Sequence, residues 1–401
     1  MTAMPANSAR VPPPGVILAG GRSSRMGGGD KTLFDLGGRP LLAHVIARLR
    51  PQVSHLALNA NGAASRFDAF GVEVIADAAA DFPGPLAGIL AAMRWAHRSV
   101  PGASHVFTVP GDTPFLPLDL AARLEAAIAV RPGAIAVAAF QGQPNPVVGL
   151  WPVSLAEALE ADMQAGARSV IAWCRQREAV FAEIPASECA GRSVDPFFNT
   201  NTPLDLAEAR LLLQRERFAC PVIGVAGWKN SGKTTLVIRL VQELTKRGYR
   251  ISTIKFSHHE GDDTRAPDAR VRDTALHAAA GALQVAFASP QRWAIVEGGV
   301  TPVAWHEATP DRSAMLDALV GTMAPADLIL VEGYKAAAIP KIEVRRSAQP
   351  DRRELADNDS YVFAVVADHP VADTSQWTAH AGNIEAIADV LQHVAGLGAR
   401  P

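Results

Sequence analysis

Short apolar runs bounded by glycine, proline or polar residues alternate along this chain with segments whose apolar residues recur at helical spacing. In the first half, Val16–Ala19, Leu56–Asn59, Val72–Ile75, His105–Val109 and Ile135–Ala139 read as strands, and Leu41–Leu49 and Leu118–Ile128 as helices. In the second, Val222–Ala226, Ile251–Ile254, Leu328–Val331 and Val362–Val366 read as strands, with a helix over Leu236–Leu244. Such alternation predicts α/β architecture, with parallel sheets covered by helices and ligands held beyond the carboxyl ends of the strands. Two strands run directly into a glycine loop and then a helix, at Val16 to Gly21 and at Val222 to Gly227, which predicts one nucleotide-binding opening per half. The two loops differ in spacing and chemistry, so the halves are not a repeat.

The length of 401 residues exceeds the usual span of one hydrophobic core and predicts two domains. Between the halves, Thr202-Pro203 forms a helix cap and first turn, followed by an amphipathic segment with Leu206, Leu211, Leu212 and Leu213 that ends near Arg217. The boundary is therefore expected at 216–220, with one domain over 15–216 and a second over 221–396. Residues 1–14, with Pro12, Pro13 and Pro14 but no apolar signal core, read as a disordered tail.

Composition narrows the function classes. Hydrophobic residues at 48% and charged residues at 19% are those of a folded domain. A net charge of −2, without a long basic run, predicts neither a nucleic-acid nor an anionic-membrane partner. Cys174, Cys189 and Cys220 lack CxxC spacing and suggest neither a disulfide framework nor a zinc site. No apolar stretch reaches the roughly 18–20 residues that span a bilayer; the small-residue run near Ala278 is interrupted by His277 and Gln284, and a cytoplasmic protein is expected.

The richest segment is Leu18-Ala19-Gly20-Gly21-Arg22-Ser23-Ser24-Arg25-Met26-Gly27-Gly28-Gly29-Asp30-Lys31. Its glycines allow backbone N–H groups to approach a polyphosphate, while Arg25 and Lys31 bring positive charge to where leaving-group charge grows. Pro110-Gly111-Asp112-Thr113-Pro114-Phe115 follows a strand and puts a carboxylate at the sheet edge. Asp112 suits Mg²⁺, a hard cation satisfied by one or two carboxylates plus water and phosphate, although an aspartate there also serves as a helix cap. In the second half, Gly227-Trp228-Lys229-Asn230-Ser231-Gly232-Lys233-Thr234-Thr235 fits GxxxxGK[ST] between a strand and a helix. In such a P-loop the backbone amides cradle phosphates, Lys233 reaches the β- and γ-phosphates and Thr234 binds Mg²⁺. The strand Asp327–Val331 ends in Glu332, suited to hold Mg²⁺ through water or to position a water.

The LAGG opening, the GxDK close at Lys31, Asn59-Ala60-Asn61 and Pro83-Gly84-Pro85-Leu86-Ala87-Gly88 resemble the MobA family of molybdenum cofactor guanylyltransferases, from Gly15 to about Leu206. The resemblance implies a Rossmann-like nucleotidyltransferase domain of the GT-A type, with Leu18, Ala19, Gly20 and Gly21 on the nucleotide, Lys31 on phosphate, and Asn59, Asp77 and Asp112 helping to hold GTP. Asp77 could accept N1–H and the exocyclic amine of guanine as a pair; as an isolated carboxylate it would otherwise be a surface residue. Asn199 and Asn201, in Asn199-Thr200-Asn201-Thr202-Pro203, resemble a late family element near the acceptor or metal, while turn formation and capping explain the same residues. The implied reaction is attack of a pterin's terminal phosphate on the α-phosphorus of GTP, with Mg²⁺ as cofactor. His44 and His55 read as structural.

Lys255, His258-His259, Asp273, Ala280-Gly281-Ala282 and the Glu332 strand make the second half similar to MobB, a GTP-binding companion with a P-loop NTPase domain, from about Pro221 to Leu391. Ala275, Ala278 and Ala279 depart from that family, so no basic phosphate contact is expected from their helix. The adjacent histidines invite a metal or, more simply, a nucleotide or partner contact. Slow GTP hydrolysis and simple GTP binding both fit. Mo-molybdopterin and GTP are the implied ligands, and molybdenum insertion proteins, molybdoenzyme apoproteins or their chaperones the implied protein partners. Two alternatives stand beside this reading: CTP- or UTP-dependent transfer to another pterin or a sugar phosphate, and a GTP-regulated adaptor for molybdoenzyme maturation.

Overall fold

The computed structural model describes residues 11–19, 30–77, 84–256, 274–289, 292–297, 301–307, 311–348, 354–372 and 374–400. The chain divides into two compact units, and the division falls at Asn199/Thr200.

The first unit is built on a seven-stranded sheet of order β3-β2-β1-β4-β6-β5-β7. Its strands are β1 (Gly15–Leu18), β2 (Leu56–Asn59), β3 (Glu73–Ile75), β4 (His105–Pro110), β5 (Ala136–Phe140), β6 (Gln143–Pro152) and β7 (Val180–Glu183). A small hairpin, β8 (Ser187–Cys189) with β9 (Arg192–Val194), lies outside it. The predicted strands all form, and β1 to β4 pair in parallel. The sheet is nevertheless mixed: β6 runs antiparallel to both β4 and β5. The reversal is made by a two-residue turn in which Gln141 (φ 50) and Gly142 (φ 74) both take the left-handed conformation that matches strand twist. Pro144, Pro146 and Pro152 break the apolar run of β6, which hides it from pattern reading.

Helices α1 (Leu41–Leu49), α2 (Pro85–Ser99), α3 (Leu120–Ala127), α4 (Ala156–Gln164) and α5 (Val170–Gln176) accompany this sheet. Val16, Ala57, Leu90, Met93, Trp95, Trp151 and Trp173 share one buried cluster. Trp151 needs a partner for its indole N–H, and Thr108 Oγ1 accepts it at 2.7 Å while donating to the Val147 carbonyl at 2.8 Å. That bridge ties β4, the strand that leads into Asp112, to β6.

The second unit carries a nine-stranded sheet of order β14-β13-β12-β11-β15-β10-β16-β17-β18. These are β10 (Val222–Gly227), β11 (Ile251–Phe256), β12 (Val285–Ala288), β13 (Arg292–Glu297), β14 (Thr301–Glu307), β15 (Leu328–Glu332), β16 (Lys341–Arg345), β17 (Val362–Ala367) and β18 (Trp377–His380). From β12 to β18 all pairings are parallel, whereas β12, β13 and β14 pair antiparallel at one edge, again a mixed sheet rather than the parallel one expected. Strand β16 escapes pattern reading because two of its buried residues are charged. Lys341, 1% exposed, donates to the carbonyls of Lys335 and Ala337 and to Asp359, each at 2.7 Å. Glu343, also 1% exposed, pairs with Arg345 and accepts from the amides of Leu355 and Ala356. Full pairing of this kind is what makes a buried charge tolerable.

Helix α6 (Pro203–Gln214) corrects the expected boundary at 216–220. Thr202 and Asp205 form a reciprocal capping box at its start. Its Ala207 and Leu211 then join the core of the second unit with α7 (Lys233–Lys246) and α9 (Ile384–Val394), so the helix belongs to the unit that follows it. Helix α8 (Arg312–Thr322) contributes Met315, Leu316 and Leu319 to a second cluster with Ile254, Ile329 and Val331. Among the described residues no helix is long and apolar enough to cross a membrane.

The placement of α6 has a measurable consequence. Leu211 is 2% exposed, and Leu211→Ala is expected to destabilise the second unit by about 2–5 kcal/mol through the cavity it leaves. Urea unfolding followed separately at tryptophans of the two units should show the second transition moving and the first staying. A shift of the first transition instead would return α6 to the first unit.

Candidate functional sites

In the first unit the carboxyl ends of β1, β2 and β4 meet. The register pairs Leu18 with Asn59 on one side and with Pro110 on the other. Past the strand ends, the Leu18 carbonyl accepts the Gly111 amide at 2.9 Å and the Ala19 amide donates to the Asn59 carbonyl at 2.8 Å, so the first steps of the glycine turn are held from both flanks. Residues 20–29, with Gly20, Gly21 and Arg25, lie outside the described residues.

The chain returns at Asp30, whose carboxylate caps the turn Lys31–Leu33 by accepting from the amide and hydroxyl of Thr32, at 3.1 and 2.6 Å. Arg66 pins the same carboxylate, its Nε 3.1 Å from Asp30 Oδ2. Lys31 is thereby aimed at Asp112, 81 positions away, and its ammonium donates to Asp112 Oδ2. Asp112 is 5% exposed. A cation and a carboxylate brought together at the edge of a parallel sheet make a place where a phosphate and its counter-ion can both be met.

Asn59 and Asp77 also come together. Asn59 Nδ2 donates to Asp77 Oδ1 at 3.0 Å, Asn61 Nδ2 to Asp77 Oδ2 at 2.5 Å, and the Asp77 amide returns a bond to Asn61 Oδ1 at 3.1 Å. Both carboxylate oxygens thus already have one donor, and each retains a lone pair for another. Gly88, in the first turn of α2, is the floor of this group: a Cβ there would stand 2.9 Å from Asn59 Oδ1 and 3.3 Å from Leu18. Asn199 is exposed at the last position of the first unit, and Asn201 gives its backbone amide to Asp205 in the cap of α6. His44 Nε2 donates to the Leu36 carbonyl at 2.8 Å, and burial holds its pKa below the usual value, in keeping with a structural role. Cys174, Cys189 and Cys220 are all buried.

In the second unit, β10 ends in Gly227 (φ 148), where a Cβ would lie 2.6 Å from both Ser231 Oγ and the Val344 carbonyl. Only glycine permits that approach. Asn230 (φ 63) and Gly232 (φ 96) complete the turn, and α7 opens at Lys233 with its first amides uncapped by any side chain. Such a helix start favours an anion. Ser231 is 5% exposed and its hydroxyl has no hydrogen-bond partner, while Thr235 is exposed. Lys233 curls over the turn to donate to the Trp228 carbonyl at 2.6 Å, and burial, helped by Lys335 and Lys255, holds its pKa below the ordinary lysine value.

Glu332, at the end of β15, sits beneath the turn. Thr234 Oγ1 donates to its Oε1 at 2.6 Å, and Lys255 Nζ lies 3.3 Å from the same oxygen. His277 Nε2 lies 3.2 Å from Oε2, too poorly aligned to count as a full hydrogen bond but close enough to act electrostatically. Burial alone would push this carboxyl up; His277, Lys255 and Thr234 outweigh it and bring its pKa down to about 2. Glu332 is therefore charged at neutral pH. Lys335 stacks its ammonium 3.6 Å from the Trp228 ring centroid, and Arg346 reaches the Asn230 carbonyl at 3.5 Å.

His258, His259 and Asp273 lie outside the described residues. Among the described residues no three His, Cys, Asp or Glu side chains converge as a metal cage. Sequence reading did not assign Arg66, Asn61 or His277. Arg66 is an ordinary surface type with no spacing that marks it, and Asn61 stood in the Asn59-Ala60-Asn61 motif without a role of its own. His277 carried one signal, a lone imidazole in an apolar helical run, and was read only as an interruption of it.

Comparison with known proteins gives these geometries a family. Residues 15–180 match the model of the MobA-like NTP transferase domain, and residues 222–368 match that of molybdopterin guanine dinucleotide synthesis protein B. The molybdenum cofactor guanylyltransferase of Rhizobium meliloti (strain 1021) is 52% identical over 202 residues, 50% of this chain and 92% of that protein. That of Rhodopseudomonas palustris (strain BisB5) is 46% identical over 207 residues, 51% of this chain and 95% of that protein. Both matches span about half of this chain and nearly all of the relative, which leaves the other half to the second family model. The chain belongs to the molybdenum cofactor guanylyltransferase family, as a fusion of a MobA-like nucleotidyltransferase domain with a MobB domain.

Proposed function

We infer that the first unit transfers GMP from GTP to Mo-molybdopterin, forming the molybdopterin guanine dinucleotide cofactor and releasing pyrophosphate, and that the second unit is a GTP-binding accessory. The observation that carries the geometric side of this reading is the meeting of Lys31 with Asp112 at the carboxyl edge of β1 and β4. In this reading the first unit is a Rossmann-like nucleotidyltransferase of the GT-A type and the second a P-loop NTPase.

The acceptor's terminal phosphate forms a bond to the α-phosphorus as the bond to the bridging oxygen of the β-phosphate breaks. A phosphate monoester with a second pKa of about 6 is already largely ionised at neutral pH, so no strong general base is required. Catalysis then rests on alignment and on neutralising charge. Leu18, Ala19, Gly20 and Gly21 supply the turn against the triphosphate, Lys31 and Arg25 face the departing pyrophosphate, and Asn59 and Asp77 address guanine. Asn199 and Asn201 belong to the acceptor side.

The donor sets suit Mg²⁺. Asp112 offers a buried oxygen ligand that already stabilises a cation, and Thr234 with Glu332 offers hard oxygens beside the P-loop. When bound at Asp112, Mg²⁺ supplies charge neutralisation for the triphosphate. In the second unit, Gly227, Asn230, Ser231, Gly232, Lys233, Thr234 and Thr235 form the phosphate cradle, and Lys233 exchanges the Trp228 carbonyl for a phosphate oxygen.

Pyrophosphate release, measured on the purified chain with molybdopterin supplied and nucleotides varied, tests this directly. GTP should support turnover and CTP, UTP or a sugar phosphate acceptor should not; a preference for CTP would reject the guanylyl assignment. Asp112→Ala should lower turnover by about 10²–10³-fold with folding retained, and wild-type release from that variant would remove Asp112 from the site. Lys233→Ala should spare transfer in this minimal assay while weakening GTP binding at the second unit. Complete loss of transfer would mean that the P-loop is obligatory rather than accessory.

A further inference from the structure

His277 is wholly buried, at 0% exposure, on a helical segment at 274–279 that offered no basic contact in the sequence. A fully buried imidazole carries two ring nitrogens that both need an explanation. Nδ1 lies 3.1 Å from Thr253 Oγ1, on β11. Nε2 lies 3.2 Å from Glu332 Oε2, and among the described residues neither atom has an aligned hydrogen bond. The other oxygen, Oε1, faces Thr234 and Lys255 on the P-loop side. The carboxylate is thus divided: one oxygen toward the nucleotide turn, the other toward an imidazole locked by its own neighbour.

As a neutral imidazole, His277 turns Nε2–H toward Glu332 and leaves Nδ1 to accept the Thr253 hydroxyl proton. The Nε2–H···Oε2 contact is an electrostatic approach rather than an aligned hydrogen bond. Turning the ring would break the Thr253 bond and lose that attraction, so the imidazole biases the torsion of the carboxylate it faces. Outer contacts of this type orient ligand oxygens at ion sites and are worth about 10–100-fold in metal affinity.

We propose that His277 is a positioning residue for Glu332, relaying the fixed hydroxyl of Thr253 to the carboxylate so that Oε1 is presented with Thr234 to the Mg²⁺ of a bound nucleoside triphosphate. This rests on the reading of Thr234 and Glu332 as the metal side of the P-loop. His277 touches neither nucleotide nor ion.

The test is a Mg²⁺ titration of a fluorescent GTP analogue bound to the full chain, with the signal that disappears in Lys233→Ala taken as the second unit's. His277→Ala should raise the Mg²⁺ concentration at half-saturation about 10–100-fold while leaving binding of the analogue in EDTA unchanged. His277→Gln, whose amide reaches the position of Nε2, should recover most of the affinity. The urea transition of the second unit, followed at its own tryptophans, serves as the check that both variants are folded. Should His277→Ala unfold the second unit, His277→Gln still discriminates: rescue requires wild-type half-saturation within a few fold. A wild-type Mg²⁺ response in His277→Ala, or an equal loss in EDTA and in Mg²⁺, overturns the positioning role and leaves a packing residue. If Thr234→Ala abolishes the Mg²⁺ response while His277→Ala does not, the metal reading survives and this inference alone fails. Wild-type binding that ignores Mg²⁺ removes both.

Discussion

One constraint organises each unit: a carboxylate at the end of a buried parallel strand must find positive charge within its own chain before any nucleotide arrives. An uncompensated buried charge costs several kcal/mol, so the fold answers each one locally. Asp112 is met by Lys31, delivered from across the sheet by the Asp30 cap and its Arg66 partner. Glu332 is met by Lys255 from the neighbouring strand, with Thr234 and His277 on its two oxygens. In the second unit the first amides of α7 are left uncapped by any side chain.

The groups that compensate these carboxylates are the same ones the proposed function assigns to the nucleotide. Under the proposed function, binding is an exchange of partners: Lys31 and Lys233 each hold an acceptor in the chain and would give it up for a phosphate oxygen. Exchange costs less reorganisation than creating charge in a dry cleft would.

What could be read from the chain followed the strength of local signals. The parallel strands next to each glycine loop were legible because they are short, apolar and bounded by turn residues, and the P-loop because its spacing is tied to a strand and a helix. Strands β6 and β16 were not. Three prolines interrupt β6, and β16 places Lys341 and Glu343 in the core, where only tertiary partners make charge acceptable. Helix α6 was legible as a helix, yet its owner was not, because an amphipathic stripe does not say which sheet it will cover. In the sites, Lys31, Asp112 and Thr234 stand in motifs, whereas His277 and Arg66 acquire meaning only when distant segments meet.

The reversal of β6 carries a consequence of its own. Because β6 runs against β4, it is the beginning of β6, from Gln143 up to Gly149 where its pairing with β4 starts, that extends toward the Asp112 end of the sheet. The nucleotide turn hangs from β1 and β2, on the other flank of β4. The Gln141-Gly142 hairpin and the turn that leaves β1 therefore lie on opposite flanks of β4, so the length of the one can change without altering the strands that carry the other.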